Sequence, residues 1–269
     1  MPEIPDLENV CAVFNARLPG LGVERVELLR PIVARVAREE FEGRLRGVRL
    51  GQVRRRGKFL LFGLDSGDAL VVNPMLVGRF QHVEPARKRP ARTCFALTLS
   101  DRRELRYVDD RFMGKVYVAP EDALDEIPQL AEMGPDALDP AFTEDAFIER
   151  LRRHRGQVKN VLVNARFMAG IGNAYVDEIL FVAGVHPFTK VAALSEERRR
   201  GLYRALHAVL DWAIPIVAEQ MGEETDVKPR DFLRVHRKGG APCPSCGHPI
   251  SEVSPGRRVT SFCRRCQPL

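Results

Sequence analysis

The stretch Met168-Ala169-Gly170-Ile171-Gly172-Asn173-Ala174-Tyr175-Val176-Asp177-Glu178 joins two helical segments through a pair of glycines. Glycine has no Cβ, so such a turn lets another backbone approach closely. The next helix begins at Asn173, and its first-turn amides with the Asn side chain suit a phosphate. Tight packing between helices explains the same glycines, so the flanking sequence has to decide. Apolar residues recur at helical spacing over 143–153, 157–164, 173–183 and 195–221. Ser195 is a good N-cap, followed by two acids in the first turn. This part of the chain therefore reads as a helical domain built around the glycine turn.

Toward the C-terminus, Cys243-Pro244-Ser245-Cys246 and Cys263-Arg264-Arg265-Cys266 form two C-x2-C pairs separated by 16 residues. That spacing suits four thiolates, Cys243, Cys246, Cys263 and Cys266, around one structural Zn²⁺ with no open position for catalysis. His248 is spaced less well and reads as a bystander. Cys11 and Cys94 stand alone, as buried small apolar residues do.

Toward the N-terminus the pattern changes. Short β-rich runs at 23–29, 46–53, 59–64, 69–73, 94–99, 104–109 and 115–119 alternate with turn residues such as Asp65-Ser66-Gly67-Asp68. This is the pattern of an antiparallel sandwich or barrel. A helix over 9–18 precedes it. An acidic, proline-interrupted stretch at 121–140 reads as a connection between domains.

The chain opens Met1-Pro2-Glu3-Ile4-Pro5-Asp6-Leu7-Glu8. Loss of Met1 would expose a secondary amine with two carboxylates nearby, and such an amine can attack a carbonyl-like carbon to form a Schiff base. Alone, the same residues read as an ordinary start with surface charge, and the rest of the chain has to decide.

With 269 residues, the chain has ample length to bury a core. No apolar run approaches the roughly 20 residues of a membrane span, and no signal-peptide pattern is present. The expected location is the cytoplasm, associated with the nucleoid. Net charge is +6, with basic clusters at Arg54-Arg55-Arg56-Gly57-Lys58, Arg152-Arg153-His154-Arg155, Arg234-Val235-His236-Arg237-Lys238, Arg257-Arg258 and Arg264-Arg265. Several such clusters suit a polyanion, whose binding rests on phosphate neutralisation.

The Pro-Glu-x-Pro opening, the run from Ala169 to Glu178 and the four-Cys finger together resemble the formamidopyrimidine-DNA glycosylase/endonuclease VIII family along nearly the whole chain. The resemblance implies an α+β multidomain fold: an N-terminal helix plus antiparallel β-sandwich, a helix-two-turn-helix domain and a zinc finger. The corresponding boundaries are 1–120 for the catalytic domain, 121–142 for the connection, 143–236 for the helical domain and 237–269 for the finger. It further implies a bifunctional glycosylase and abasic-site lyase acting in base-excision repair, as a monomer on damaged double-stranded DNA.

Residue by residue, Pro2 matches the family nucleophile and Glu3 the acid that assists sugar opening. Lys58 matches a strand lysine that reaches the lesion's phosphate, and Arg258 the finger arginine directed at the flipped nucleotide's phosphate. Asn173 matches a phosphate ligand, with Lys159 and Arg155 as further backbone contacts. Leu76, Arg111 and Met113 match three side chains that fill the void left by a flipped nucleotide.

The chain also departs from the family pattern. Asp6 replaces the usual Glu, the 73–78 segment lacks its usual leading His, and Arg111-Phe112-Met113 replaces Arg-Arg-Phe. Residues 231–238 run almost directly into the finger without the extra loop of members that prefer 8-oxoguanine. That absence favours a broader or pyrimidine-type lesion range. The alternative function is a non-catalytic binder of damaged or branched DNA with the same fold.

Overall fold

A computed structural model describes residues 1–255 and 258–269. The chain divides into two compact units. The first comprises Met1–Ala131 with Ile216–Lys228; the second comprises Glu132–Pro215 with Pro229–Leu269.

The first unit opens with helix α1 (Ile4–Asn15), then β1 (Val23–Leu28) and the short helix α2 (Arg38–Leu45). Strands β2 (Leu50–Arg56), β3 (Phe59–Leu64), β4 (Asp68–Asn73), β5 (Arg79–Val83), β6 (Thr93–Leu99), β7 (Glu104–Val108) and β8 (Lys115–Pro120) follow. They form two antiparallel four-stranded sheets, ordered β1-β6-β7-β5 and β2-β3-β4-β8. Inner-face aromatics join the two sheets: Phe62 on β3 lies 5.4 Å from Phe80 on β5, and Phe80 lies 5.1 Å from Tyr107 on β7. Phe14 of α1 meets both Phe62 and Phe80, closing one side of this core. Such rings bury large apolar areas while keeping tilted contacts.

Helix α1 starts earlier than its apolar spacing predicts, at Ile4 rather than residue 9. The reason is local: Glu3 and Asp6 form a reciprocal capping box, and Pro5 sits in the first turn, where no hydrogen bond is lost. Strand β5 and helix α2 have no counterpart in the sequence reading. The β5 run Arg-Phe-Gln-His-Val interleaves polar groups, and α2 buries only Phe41 and Leu45 among six polar or small residues. Neither carries much apolar periodicity.

The second unit contains α3 (Glu144–Arg152), α4 (Val158–Leu162), α5 (Asn173–Val182) and most of α6 (Glu196–Met221). It closes with the hairpin β9 (Ser251–Val253) and β10 (Thr260–Phe262) of the finger. Thr143 caps α3 by accepting from the Ala146 amide. The boundary between units crosses α6 at Pro215, the one residue of that helix without an amide proton. Among the described residues, no helix is long and apolar enough to cross a membrane.

Candidate active site and nucleic-acid interface

The N-terminal residues are held by the start of α1. Pro2, Glu3 and Asp6 are all buried, and the Glu3 amide donates to Asp6 Oδ2 at 2.8 Å. The Glu3 carboxylate accepts in return from the Asp6 amide. Both acids therefore stand at the positive end of a helix, where a carboxylate is stabilised. Pro2 lines a cleft with Asp6, Leu7, Pro74, Gly78 and Lys228. Met1 is 38 % exposed, so the residue that must leave to free the Pro2 amine lies at the surface.

Lys58 sits at the tip of the β2–β3 hairpin rather than on a strand. Arg56 pairs with Phe59, which leaves Gly57-Lys58 as a two-residue turn with Gly57 at φ +60°. A positive φ at the first turn position is what glycine supplies. Arg55 ties this hairpin to α1, donating from Nε to Glu8 at 2.6 Å and from Nη1 to the Gly57 carbonyl at 3.1 Å. One buried guanidinium thus links the helix bearing Pro2 and Glu3 to the turn bearing Lys58.

Leu76, Arg111 and Met113 lie on two loops at one end of the first sheet. The antiparallel pairing of Arg79 with Val108 sets the loop before β5 beside the loop after β7. Leu76 is 36 % and Met113 40 % exposed, large apolar side chains left outside the core. Between the loops stands Tyr107. A Cβ on Gly78 would lie 2.4 Å from its hydroxyl, and one on Gly114 1.9 Å, so both glycines are required by contact. Asp109, fully buried, accepts from the amides of Arg111 (3.0 Å) and Gly114 (2.6 Å). Arg79 and Asp110 close the pair of loops with a salt bridge at 2.6 Å, which lowers the Asp110 carboxyl.

In the second unit, Lys159, Asn173 and Arg258 line one cavity of about 400 Å³ with Gln157, Asn160, Phe188 and Thr260. Arg155 is exposed and lies outside that lining. Lys159 is only 4 % exposed. Its ammonium donates to Asp177 (2.7 Å), the Val259 carbonyl (2.9 Å) and Thr260 Oγ1 (2.8 Å). Asn173 donates to the same Val259 carbonyl at 2.8 Å, and its Oδ1 is buried with no partner among the described atoms. Both residues therefore brace the finger beside Arg258, which is itself exposed.

Asp177 and Glu178 complete this brace. Asp177 also accepts from the Ser261 amide and sits 2.7 Å from His236 Nδ1. Glu178 accepts three backbone amides, from Arg234, Val235 and His236, at 2.9–3.0 Å. Burial nonetheless raises its carboxyl above the usual range, outweighing those donors.

The four cysteine sulfurs lie within 4.8 Å of one another. Cys243 and Cys266 are 3.8 Å apart, and Cys246 and Cys263 3.5 Å. Two thiolates on one tetrahedral zinc, each at about 2.3 Å, stand about 3.8 Å apart, so the cluster fits the ion. Phe181, Val235 and Ile250 pack around it. His248 is exposed, and its carbonyl accepts from the Cys243 amide, while the cluster consists of the four cysteines.

Three family models match in order: the formamidopyrimidine-DNA glycosylase N-terminal domain over residues 1–116, the corresponding H2TH domain over 133–224, and the zinc finger found in FPG and IleRS over 240–269. The formamidopyrimidine-DNA glycosylase of Pelotomaculum thermopropionicum is 33 % identical over 276 residues, covering 100 % of both chains. The chain belongs to the formamidopyrimidine-DNA glycosylase family. The Thermus thermophilus relative is 35 % identical over 275 residues, covering 99 % of this chain and 98 % of its own. Among solved structures, the Lactococcus lactis enzyme bound to FAPY-dG-containing DNA superposes with a TM-score of 0.91 at 26 % identity, covering 99 % of this chain and 100 % of its own. A MutM complex with DNA containing carbocyclic 8-oxo-G gives 0.91 at 27 % identity, with 100 % of both chains covered.

As in the family's finger, this glycosylase holds one structural zinc through Cys243, Cys246, Cys263 and Cys266. Several residues around the site escaped the sequence reading. Lys228 lines the Pro2 cleft, yet it follows a short polar run with no periodicity. Tyr107 and Asp109 sit in a strand and its exit, where nothing in the sequence separates them from core and turn. Arg55 reads as one member of a basic cluster, although its side chain is only 7 % exposed.

Proposed function

We propose that this glycosylase removes oxidised bases from double-stranded DNA through a Schiff base on Pro2 and then cleaves the strand. A base inside a duplex is out of reach, so the nucleotide must first be turned out of the stack, at a cost of a few kcal/mol. Leu76, Arg111 and Met113 fill the gap, the apolar pair as wedges and the arginine toward the estranged base. The Pro2 nitrogen, freed by loss of Met1, attacks the sugar C1′ and the damaged base departs. Glu3 assists opening of the sugar ring. The resulting iminium acidifies the C2′ proton, and its removal expels the 3′ phosphate by elimination. Lys58, from its hairpin tip, and Arg258, Asn173 and Arg155, from the second unit, contact the phosphate backbone.

The observation that carries this reading is the seating of Pro2. It lines a cleft with the Leu76 loop while the capping box fixes Glu3 beside it. A protein that only bound DNA would have no use for that pairing. Borohydride trapping on abasic-site DNA tests it: a covalent adduct forms with the processed protein and disappears on Pro2→Gly or when Met1 is retained. Salt-dependent binding with neither adduct nor cleavage would favour a non-catalytic DNA binder instead. The short segment between α6 and the finger supports a lesion range broader than 8-oxoguanine, including oxidised pyrimidines. A panel of oxidised bases in one duplex context measures it.

A further inference from the structure

The basic run Arg54-Arg55-Arg56 on β2 divides between the two faces of its sheet, because successive strand residues point to opposite sides. Arg54 pairs with Glu121 and Arg56 with Asp125, their side chains 53 % and 42 % exposed. Arg55 turns the other way, to Glu8 of α1, and its side chain is 7 % exposed. Its neighbours there are apolar: Val53 precedes it on the same face and Leu60 lies across from it on β3, both buried. An apolar side chain would suit that place, since taking a charge out of water is costly even when it is paired. Packing alone therefore does not call for a guanidinium here.

What Arg55 holds is specific. Its Nε donates to Glu8 at 2.6 Å and its Nη1 to the Gly57 carbonyl at 3.1 Å. That carbonyl belongs to the peptide unit leading into Lys58, and the unit is planar. The bond therefore orients the plane from which Lys58 departs. A second fastening lies at the far end of α1. Asn15 donates from Nδ2 to the Val53 carbonyl at 2.8 Å and accepts from the Val53 amide at 2.7 Å. Glu8 stands about two turns earlier on the helix. With Asn15 alone, α1 could pivot against β2; the Glu8–Arg55 pair removes that freedom at the end that carries Pro2.

We propose that Arg55 is a positioning residue: through Glu8 and the Gly57 carbonyl it holds Lys58 in fixed register with the Pro2 end of α1. The inference rests on the function proposed above, in which Pro2 attacks the sugar while Lys58 meets the phosphate backbone. Those two groups come from separate elements, and one nucleotide satisfies both only if their spacing is set beforehand. Misplacing such a group by about 1 Å can slow a reaction about a hundredfold. Arg55, being buried, acts through these contacts and not on the DNA.

The test uses the processed full chain on abasic-site DNA, with single-turnover borohydride trapping for rate and equilibrium binding for affinity. Arg55→Ala should slow trapping about ten- to a hundredfold, with affinity within about threefold of wild type and its salt dependence unchanged. Arg55→Lys, whose ammonium can still reach Glu8, should recover part of the rate. Because Arg55→Ala strands a carboxylate, Glu8→Leu with Arg55→Met serves as a second variant. It replaces the pair by apolar residues, so it should unfold no earlier than wild type and still trap as slowly as Arg55→Ala. In a Lys58→Gln background, already slow, Arg55→Ala should add less than about a twofold loss, because both changes remove one contribution. Trapping at full rate by the apolar pair would overturn the proposal, and so would losses that multiply with Lys58→Gln. A loss of affinity with a log–log salt dependence shallower by about 1 would make Arg55 a phosphate contact and overturn it as well. Each of these outcomes leaves wild-type trapping intact. A wild type that forms no adduct would instead overturn the proposed function, and the role of Arg55 with it.

Discussion

A single methylene separates aspartate from glutamate, and at position 6 the shorter residue still reaches the Glu3 amide at 2.8 Å. The departure from the family pattern is thus absorbed by helix capping. Asp6→Ala should cost about 1 kcal/mol of stability, as loss of such a cap typically does, and slow adduct formation because Glu3 loses its tether. Asp6→Glu should keep both. Denaturant unfolding and single-turnover trapping separate the two effects. Gly114 gives the opposite case, a position with no space at all. Gly114→Ala would drive a methyl into the Tyr107 hydroxyl, and should destabilise by about 2 kcal/mol or more, in the range of overpacked cores. Tyr107→Phe should recover part of that loss, since it removes the first atom struck. A double-mutant cycle read by chemical denaturation shows whether the two sites couple.

At the scale of elements, helix α5 does more than its glycine turn suggests. Its sequence announces a helix start at Asn173 and an apolar face, and both are present. What periodicity cannot reveal is that Asp177 and Glu178, two acids in a row, face inward to brace the finger. Burial of these two carboxylates depends on donors 18 to 84 residues away in sequence, and no local pattern encodes them. The four cysteines were legible because metal spacing is itself a local pattern. Lys159 shows the reverse: beside a basic cluster it reads as an exposed cation, whereas its ammonium is buried and donates to Asp177, the Val259 carbonyl and Thr260. Glu178→Ala should strand three backbone amides and cost about 3 kcal/mol or more, since each unsatisfied buried donor costs about 1–3 kcal/mol. The unfolding transition of the variant, followed by hydrogen exchange at residues 234–236, reports it. Zinc removal acts on the same module. A strong chelator should unfold the β9–β10 hairpin and weaken DNA binding at least tenfold, with restoration on adding Zn²⁺, because structural sites of this type supply folding free energy through the metal.

For the whole molecule, the net positive charge already pointed to a polyanion, but its stability against acid is written in groups that composition does not distinguish. His82, His154 and His186 all have lowered pKa values, in each case chiefly through burial. At His82 burial prevails although Asp101 lies 3.2 Å away. A histidine lowered in the folded state binds a proton more readily once unfolded. Stability is therefore complete above the unfolded value of about 6.5 and declines as pH falls through it, until the folded value is passed. A second loss follows at lower pH. At Glu104 burial raises the carboxyl, yet Arg106 and Arg89 outweigh it and leave it lowered; the Asp110 carboxyl is lowered by Arg79. The stability these carboxylates contribute disappears as they are protonated below their ordinary range. Denaturant midpoints measured from pH 8 to pH 3 should thus fall in two stages, the first beginning near pH 6.5. Replacing His82 with Phe, which cannot take up a proton when unfolded, should make the first stage shallower and leave the second unchanged. A first stage equally steep in that variant would show that His82 is not among the groups responsible.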